Sequence, residues 1–282
     1  MTPQEKFAGG TAVVTGAGSG IGEGLARVAA GIGMNVVLAD IDEARLEAVA
    51  ASISADGGTV LAVPTDVTDI AALERLADVA YDRFGSVQLV VNNAGIETIG
   101  FSWDIPDAVW DRLLSINVRG VIHGSRIFAR RMIASGMPGH IANVASIGGL
   151  GTMPTQAAYT VSKHAVLSFT ECLYLEMEVA GAPIGVSAIL PGPVATRIFD
   201  DAPADLGVSL VERQRAMMQS MLSDGGQTPV EAAGIIMKGI AAGDFWVLTH
   251  PEIASAMANA RARYLAAMDR PALADEARAL VS

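Results

Sequence analysis

A chain of 282 residues with 51% apolar content is long enough for one large α/β domain with a sizeable core. Its net charge of −11 sets the surface against phosphate backbones and anionic lipid, so neither nucleic acid nor a membrane is expected as a partner. The single cysteine, Cys172, has no internal disulfide partner, and its apolar helical surroundings read as a small buried core position.

The N-terminal segment MTPQEKFAGG has no apolar signal core and no arginine-rich amphipathic pattern. No apolar run approaches the ~20 residues of a membrane span, so a cytoplasmic protein is expected. The first β-rich run, Thr11–Thr15, passes directly into TGAGSGIG (15–22) and then into helical periodicity over 21–33. Closely spaced glycines between a strand and a helix let the backbone turn tightly and approach a pyrophosphate. The helix N-terminus adds free N–H groups and partial positive charge. Gly16, Ser19, Gly20, Ile21 and Gly22 are therefore candidate dinucleotide contacts. The next apolar run, 34–40, ends in Asp40, where an acid accepts both ribose hydroxyls of NAD. A 2′-phosphate there meets like charge, and Ile41-Asp42-Glu43 supplies no arginine to offset it, which predicts NAD over NADP.

Further apolar runs lie at 59–64, 87–91, 140–145 and 184–190. Helical periodicities alternate with them at 42–55, 70–84, 107–135 and 156–180, with Asp42, Asp69 and Pro106-Asp107 at helix starts. The strands are almost wholly apolar rather than alternating, so both faces of the sheet are covered. This predicts an α/β fold: one doubly wound (Rossmann) domain over 1–282, with a parallel sheet of about seven strands and helices on both faces. Pro191-Gly192-Pro193 breaks the alternation. Residues 197–228, with an amphipathic stretch at 208–222, read as a mobile flap on the substrate side. A helix at 229–242, a short strand at 245–248 and a C-terminal helical extension over 251–282, helical to 268, complete the pattern.

Tyr159 and Lys163 lie four apart in a helical pattern and so share a face. A fixed positive charge beside a phenol lowers its pKa from about 10 and equips it as a general acid or base. Ser146 ends the fifth strand in NVASIGG, thirteen residues before Tyr159, at the carboxyl edge of the sheet beside the glycine turn. The four histidines, His123, His140, His164 and His250, share no metal-ligand spacing, so no metal is expected. Met217, Met218 and Met221 read as core or as an adaptable apolar lid.

Taken together, these motifs resemble the short-chain dehydrogenase/reductase family, in its NAD-preferring soluble branch, over about residues 8–195. The resemblance rests on TGAGSGIG, Asp66-Val67, NNAG (92–95), Asn117 in SINVRG, Ser146, YTVSK (159–163) and PGPVAT (191–196). It implies that Tyr159 is the acid/base, that Lys163 holds the nicotinamide ribose and lowers the Tyr159 pKa, and that Ser146 orients the substrate oxygen. Asn117 would anchor a water that continues a proton relay. Asp66 and Val67 would meet adenine, with Asn93, Ala94 and Gly95 along the cofactor. Pro191, Gly192, Val194 and Thr196 would lie at the carboxamide. Asn92 and Asn93 also read as braces of the fourth strand. Ser115, Thr160 and Val161 depart from the commoner residues without touching the chemistry.

The expected substrate walls, 96–103, 147–156 and the flap, offer Ile99, Phe101, Trp103, Leu150, Met153, Ile198, Phe199, Met217 and Met221 with few basic groups. Such a lining favours an apolar secondary alcohol or ketone. The RMIASGMPGHI stretch and the HPEI tail are similar to members acting on bulky aryl or alicyclic alcohols. An acyl-thioester ketoreductase and a non-catalytic NAD-sensing protein on the same fold are the alternatives. The resemblance further implies a homotetramer paired through 107–135 and 156–180, whose apolar residues include Val166, Leu167, Phe169, Leu173 and Leu175.

Overall fold

The computed structural model describes residues 1–199 and 209–273. Thr11–Thr15 (β1) is buried along its whole length, as a central strand with apolar side chains on both faces must be. Its parallel neighbours are β2 (Asn35–Asp40) and β4 (Leu89–Asn92). With β3 (Val60–Pro64), β5 (Gly139–Val144), β6 (Ile184–Leu190) and β7 (Trp246–Leu248) they form a parallel seven-stranded sheet in the order β3-β2-β1-β4-β5-β6-β7. The chain winds from β1 to one edge, then restarts at β4 on the other side of β1. That reversal opens a crevice at the carboxyl ends of β1 and β4, where ligands of such sheets bind.

Helices cover both faces. On one side Leu25 and Ala29 of α2 (Gly20–Gly31), Leu46 and Ile53 of α3 (Glu43–Ala55), and Ile236 and Ile240 of a later helix, Pro229–Ala242, pack on the strands. On the other side lie Leu73 and Leu76 of the helix Ile70–Phe84, Phe128 and Met132 of Val121–Ser135, and Leu173 and Met177 of Ala157–Ala180. Each fully buried side chain of this kind contributes about 1.5–3 kcal/mol, so the two layers hold the strand ends firmly under the loops. Numbered in chain order, the helices are α1 (Pro3–Phe7), α2, α3, α4 (Ile70–Phe84), α5 (Asp107–Leu114), α6 (Val121–Ser135), α7 (Ala157–Ala180), α8 (Ser209–Gly225), α9 (Pro229–Ala242) and α10 (Pro251–Ala267). Asp42 and Asp69 cap α3 and α4 by accepting from the backbone N–H of Arg45 and Ala71.

The structure departs from the sequence expectations in three places. First, α1 was not foreseen; a capping box of Thr2 and Glu5 starts it, and Phe7 anchors it in the core. Second, the span 107–135 is not one regular helix. A π-helical turn, Ser115–Gly120, separates α5 from α6, and π turns recur at functional sites. Third, Cys172 is exposed, not buried. It lies with Val161, Leu175 and Val179 on the outward side of α7, a helix apolar enough all round that its pattern did not reveal the inward face. The amphipathic stretch expected at 208–222 is the helix α8, while 200–208 lie outside the described residues. Among the described residues no helix is long and apolar enough to cross a membrane.

Candidate active site

The glycine turn follows from backbone demands. Gly16 and Gly20 have φ of 64° and 55°, a region that side chains rarely enter. Gly22 lies so close to the strand end that a Cβ there would stand 2.0 Å from the Gly16 carbonyl oxygen. Asn93 closes the turn from behind, donating from Nδ2 to the carbonyls of Thr15 (2.9 Å) and Gly16 (3.2 Å). Ser19, the N-cap of α2, makes no side-chain cap bond, so the first-turn N–H groups remain available to an anion.

At the end of β2, Asp40 accepts from Gly18 N–H (2.9 Å) and Asp42 N–H (3.0 Å), which fixes its carboxylate on the rim of the cleft. Arg45 lines the same end and pairs with Asp42 at 3.1 Å. Residues 41–43 place no arginine beside Asp40, but the first turn of α3 brings Arg45 round to the same end of the cleft.

The cleft has a volume of about 1550 Å³. This exceeds the roughly 300–1,000 Å³ of a drug-sized pocket and leaves room for a dinucleotide and a second molecule. Gly16, Ser19, Gly20, Ile21, Asp40, Asp66, Val67, Asn93, Ala94 and Gly95 all line it, as do Ser146, Tyr159, Lys163, Pro191, Gly192, Val194 and Thr196. The free N–H groups, the rim carboxylate and this volume fit a nicotinamide dinucleotide. The 191–196 loop is held in place by Gly192 N–H donating to Thr249 Oγ1 (2.9 Å) and Ala195 N–H donating to the Gln227 carbonyl (2.8 Å). Two expected site residues do not line the cleft: Gly22, which acts from behind the turn, and Asn117.

Asn117 is fully buried in the π turn. Its Oδ1 accepts from Ile96 N–H (2.8 Å), and its Nδ2 donates to the Ile96 carbonyl (2.9 Å) and to Ser162 Oγ (3.1 Å). Its amide therefore clamps the chain just after NNAG, where a water relay was expected. Asn92 is likewise a brace: its Nδ2 donates to Ser125 Oγ (3.0 Å) and Asn143 Oδ1 (2.8 Å) under the sheet.

The three reactive side chains converge at the carboxyl end of β5. Ser146 accepts from Gly148 N–H at 3.0 Å, and its hydroxyl lies near enough to the Tyr159 phenol to favour the phenolate. Lys163 is buried. Its Nζ donates to the Val144 carbonyl at 3.0 Å and stands 5.5 Å from the centre of the Tyr159 ring. Burial brings Lys163 down to about 8, against a smaller upward pull from the negative charge of Glu97. The Tyr159 pKa was expected to fall, but in this structure it is raised. Burial is the main cause and Glu97 adds to it, and together they outweigh the Ser146 hydroxyl. Glu97 is the site residue that the motifs missed. It follows NNAG by two positions, and nothing in its local pattern signals that it is buried.

The substrate walls are partly as expected. Met153, Ile198, Phe199, Met217 and Met221 line the cleft. Ile99 instead lies under α8 with Val211 and Leu222, and Leu150 packs against a cluster with Val166 and Leu190. Phe101 and Trp103 stack on each other at 4.9 Å, and Trp103 is 78% exposed. The unforeseen wall is α10, which brings Ile253, Met257, Tyr264 and Leu265 over the opening.

The family model for short chain dehydrogenases matches residues 10–207. The chain belongs to this family. Within the short-chain dehydrogenases, it is 39% identical over 196 residues to "Probable oxidoreductase EphD" of Mycobacterium tuberculosis, a match covering 70% of this chain. The chain spans about a third of that relative's length, 33%. It is 32% identical over 248 residues to 1-deoxy-11-beta-hydroxypentalenate dehydrogenase of Streptomyces arenae, covering 86% of this chain and 82% of the relative. A crystal structure of a short chain dehydrogenase/reductase from Burkholderia phymatum in complex with NAD superposes with a TM-score of 0.91 at 35% identity, over 95% of this chain and 98% of that one.

Proposed function

We propose that this protein is an NAD-dependent dehydrogenase that interconverts an apolar secondary alcohol and its ketone. The observation that carries this reading is the convergence of Ser146, Tyr159 and Lys163 in the wall of the cleft that also holds the glycine turn and Asp40. A bound nicotinamide dinucleotide supplies the hydride acceptor for oxidation. Ser146 holds the substrate oxygen. Tyr159, as phenolate, takes the hydroxyl proton while the carbinol carbon gives up its hydride; in ketone reduction the neutral phenol returns the proton to oxygen. The Lys163 ammonium beside the ring favours the phenolate during the step. Asp40 on the rim supports NAD over NADP, and so does the NAD complex of the Burkholderia relative. The methionine- and isoleucine-rich walls support an apolar skeleton. The outward stripe Val161, Leu175 and Val179 of α7 supports pairing into a homotetramer in the cytoplasm; a monomer by light scattering would overturn that assembly.

The test follows NADH formation by near-ultraviolet absorbance with NAD or NADP and secondary alcohols from cyclohexanol to aryl carbinols and steroids. Turnover with NAD, abolished in Tyr159→Phe while NADH binding survives, is the expected result. Equal use of NADP overturns the cofactor choice, and loss of NADH binding in the variant overturns the role of Tyr159.

A further inference from the structure

The reaction described above leaves Glu97 without a task, yet the fold spends a buried position on it. Its side chain is 3% exposed and lines the cleft. Oε1 accepts from Thr98 N–H at 3.1 Å, and among the described residues no protein donor meets Oε2. The backbone ahead of it is held at both polar atoms, since Asn117 accepts from Ile96 N–H and donates to the Ile96 carbonyl. The carboxyl is thus presented by a fixed segment of chain.

Its surroundings explain what it can recognise. It is close enough to Lys163 and Tyr159 to act on the charge of both, which puts it at the reacting end of the cleft rather than the adenosine end. Burial holds its pKa well above the usual carboxylate range, against the Thr98 hydrogen bond and the pull of Lys163. A carboxyl accepts hydrogen bonds in either charge state and also donates one when protonated. Other lining residues of the substrate region, such as Ile147, Met153, Ile198 and Phe199, are apolar. A buried polar group with half its capacity unmet is unfavourable unless a ligand completes it. A structural role for Glu97 ends at the Thr98 N–H and leaves Oε2 unused.

We propose that Glu97 is a specificity-determining residue whose carboxyl pairs with a second oxygen of the substrate, a hydroxyl or carbonyl close to the reacting carbinol on an otherwise apolar skeleton. The inference rests on the alcohol dehydrogenase reading and narrows it to diols, hydroxyketones and diketones. Sites built to hydrogen-bond a substrate oxygen reject the analogue that lacks it far more strongly than apolar pockets reject an extra methylene.

The experiment compares kcat/KM with NAD for cyclohexanol, cyclohexane-1,2-diol and cyclohexane-1,3-diol in the parent, Glu97→Gln and Glu97→Leu proteins. The rise in melting temperature on adding NADH verifies that each variant is folded. The parent is expected to prefer one diol over cyclohexanol by about tenfold or more, in line with the discrimination of polar sites. Glu97→Leu should bring that ratio to one or below, whatever its effect on the rate common to all three alcohols. Glu97→Gln, which still donates and accepts, should keep part of the preference, and it carries the test alone if Glu97→Leu does not fold. Turnover of all three alcohols with an unmoved ratio, or an equal loss on every alcohol, overturns the inference and leaves the dehydrogenase reading standing. No NADH formation with any secondary alcohol overturns both.

Discussion

Asn117→Ala separates a brace from a relay. The substitution removes the acceptor for Ile96 N–H at 2.8 Å and the donors to the Ile96 carbonyl at 2.9 Å and Ser162 Oγ at 3.1 Å. Ser162 keeps its own bond to the Tyr159 carbonyl, so the loss falls on the two Ile96 groups. A buried backbone group left without a partner costs about 1–3 kcal/mol. Ile96 is only half-buried and lines the cleft, so water reaches part of it and the lower half of the range applies. The two groups together then come to about 2–4 kcal/mol. In a chain of this size that corresponds to a fall in melting temperature of roughly 4–16 °C. Because Ile96 carries Gly95 on one side and Glu97 on the other, kcat/KM should fall along with stability. Thermal unfolding by circular dichroism and NADH-coupled rates measure both. A variant that melts within about 2 °C of the parent, yet loses turnover a hundredfold or more, would refute the clamp and leave Asn117 a relay residue alone.

Two other perturbations follow from the geometry. Gly22→Ala places a methyl 2.0 Å from the Gly16 carbonyl oxygen, so the glycine turn must open; loss of the NADH-induced rise in melting temperature is expected, and unchanged NADH affinity by titration would contradict the packing described. Alcohol oxidation needs the Tyr159 phenolate, whose pKa is held above its usual value by burial and Glu97. The ionised fraction therefore still grows across pH 7 to 10, and oxidation should climb through that range while ketone reduction, which needs the neutral phenol, does not. An oxidation rate flat from pH 7 to 10 would count against this electrostatic account.

The parts of the site that were legible in the sequence are those with short-range signatures. TGAGSGIG declares a turn because glycines at those intervals permit what other residues forbid, and Asp40 is recognised by its place at a strand end. Tyr159 and Lys163 are paired by helical spacing, and the uniformly apolar strands announce a sheet covered on both faces. Residues brought in from elsewhere in the chain were not legible. Arg45 arrives through the first turn of α3, and the α10 wall comes from more than ninety residues beyond Tyr159. Cys172 faces outward because a neighbour's packing, rather than local pattern, selects the inner side of α7. The π turn that aims Asn117 at Ile96 has no spacing signature, since its residues read as ordinary helix.

The alternation of strands and helices, the glycine turn after β1, and Asp40, Ser146, Tyr159 and Lys163 as candidate groups were legible in the sequence alone, because periodicity and turn chemistry act over a few residues. The pKa values in the cleft were decided only by the tertiary structure. Burial raises Tyr159 and Glu97 and lowers Lys163, Glu97 adds to the rise at Tyr159, and the attraction between Glu97 and Lys163 opposes both of their shifts; burial belongs to the packed molecule as a whole.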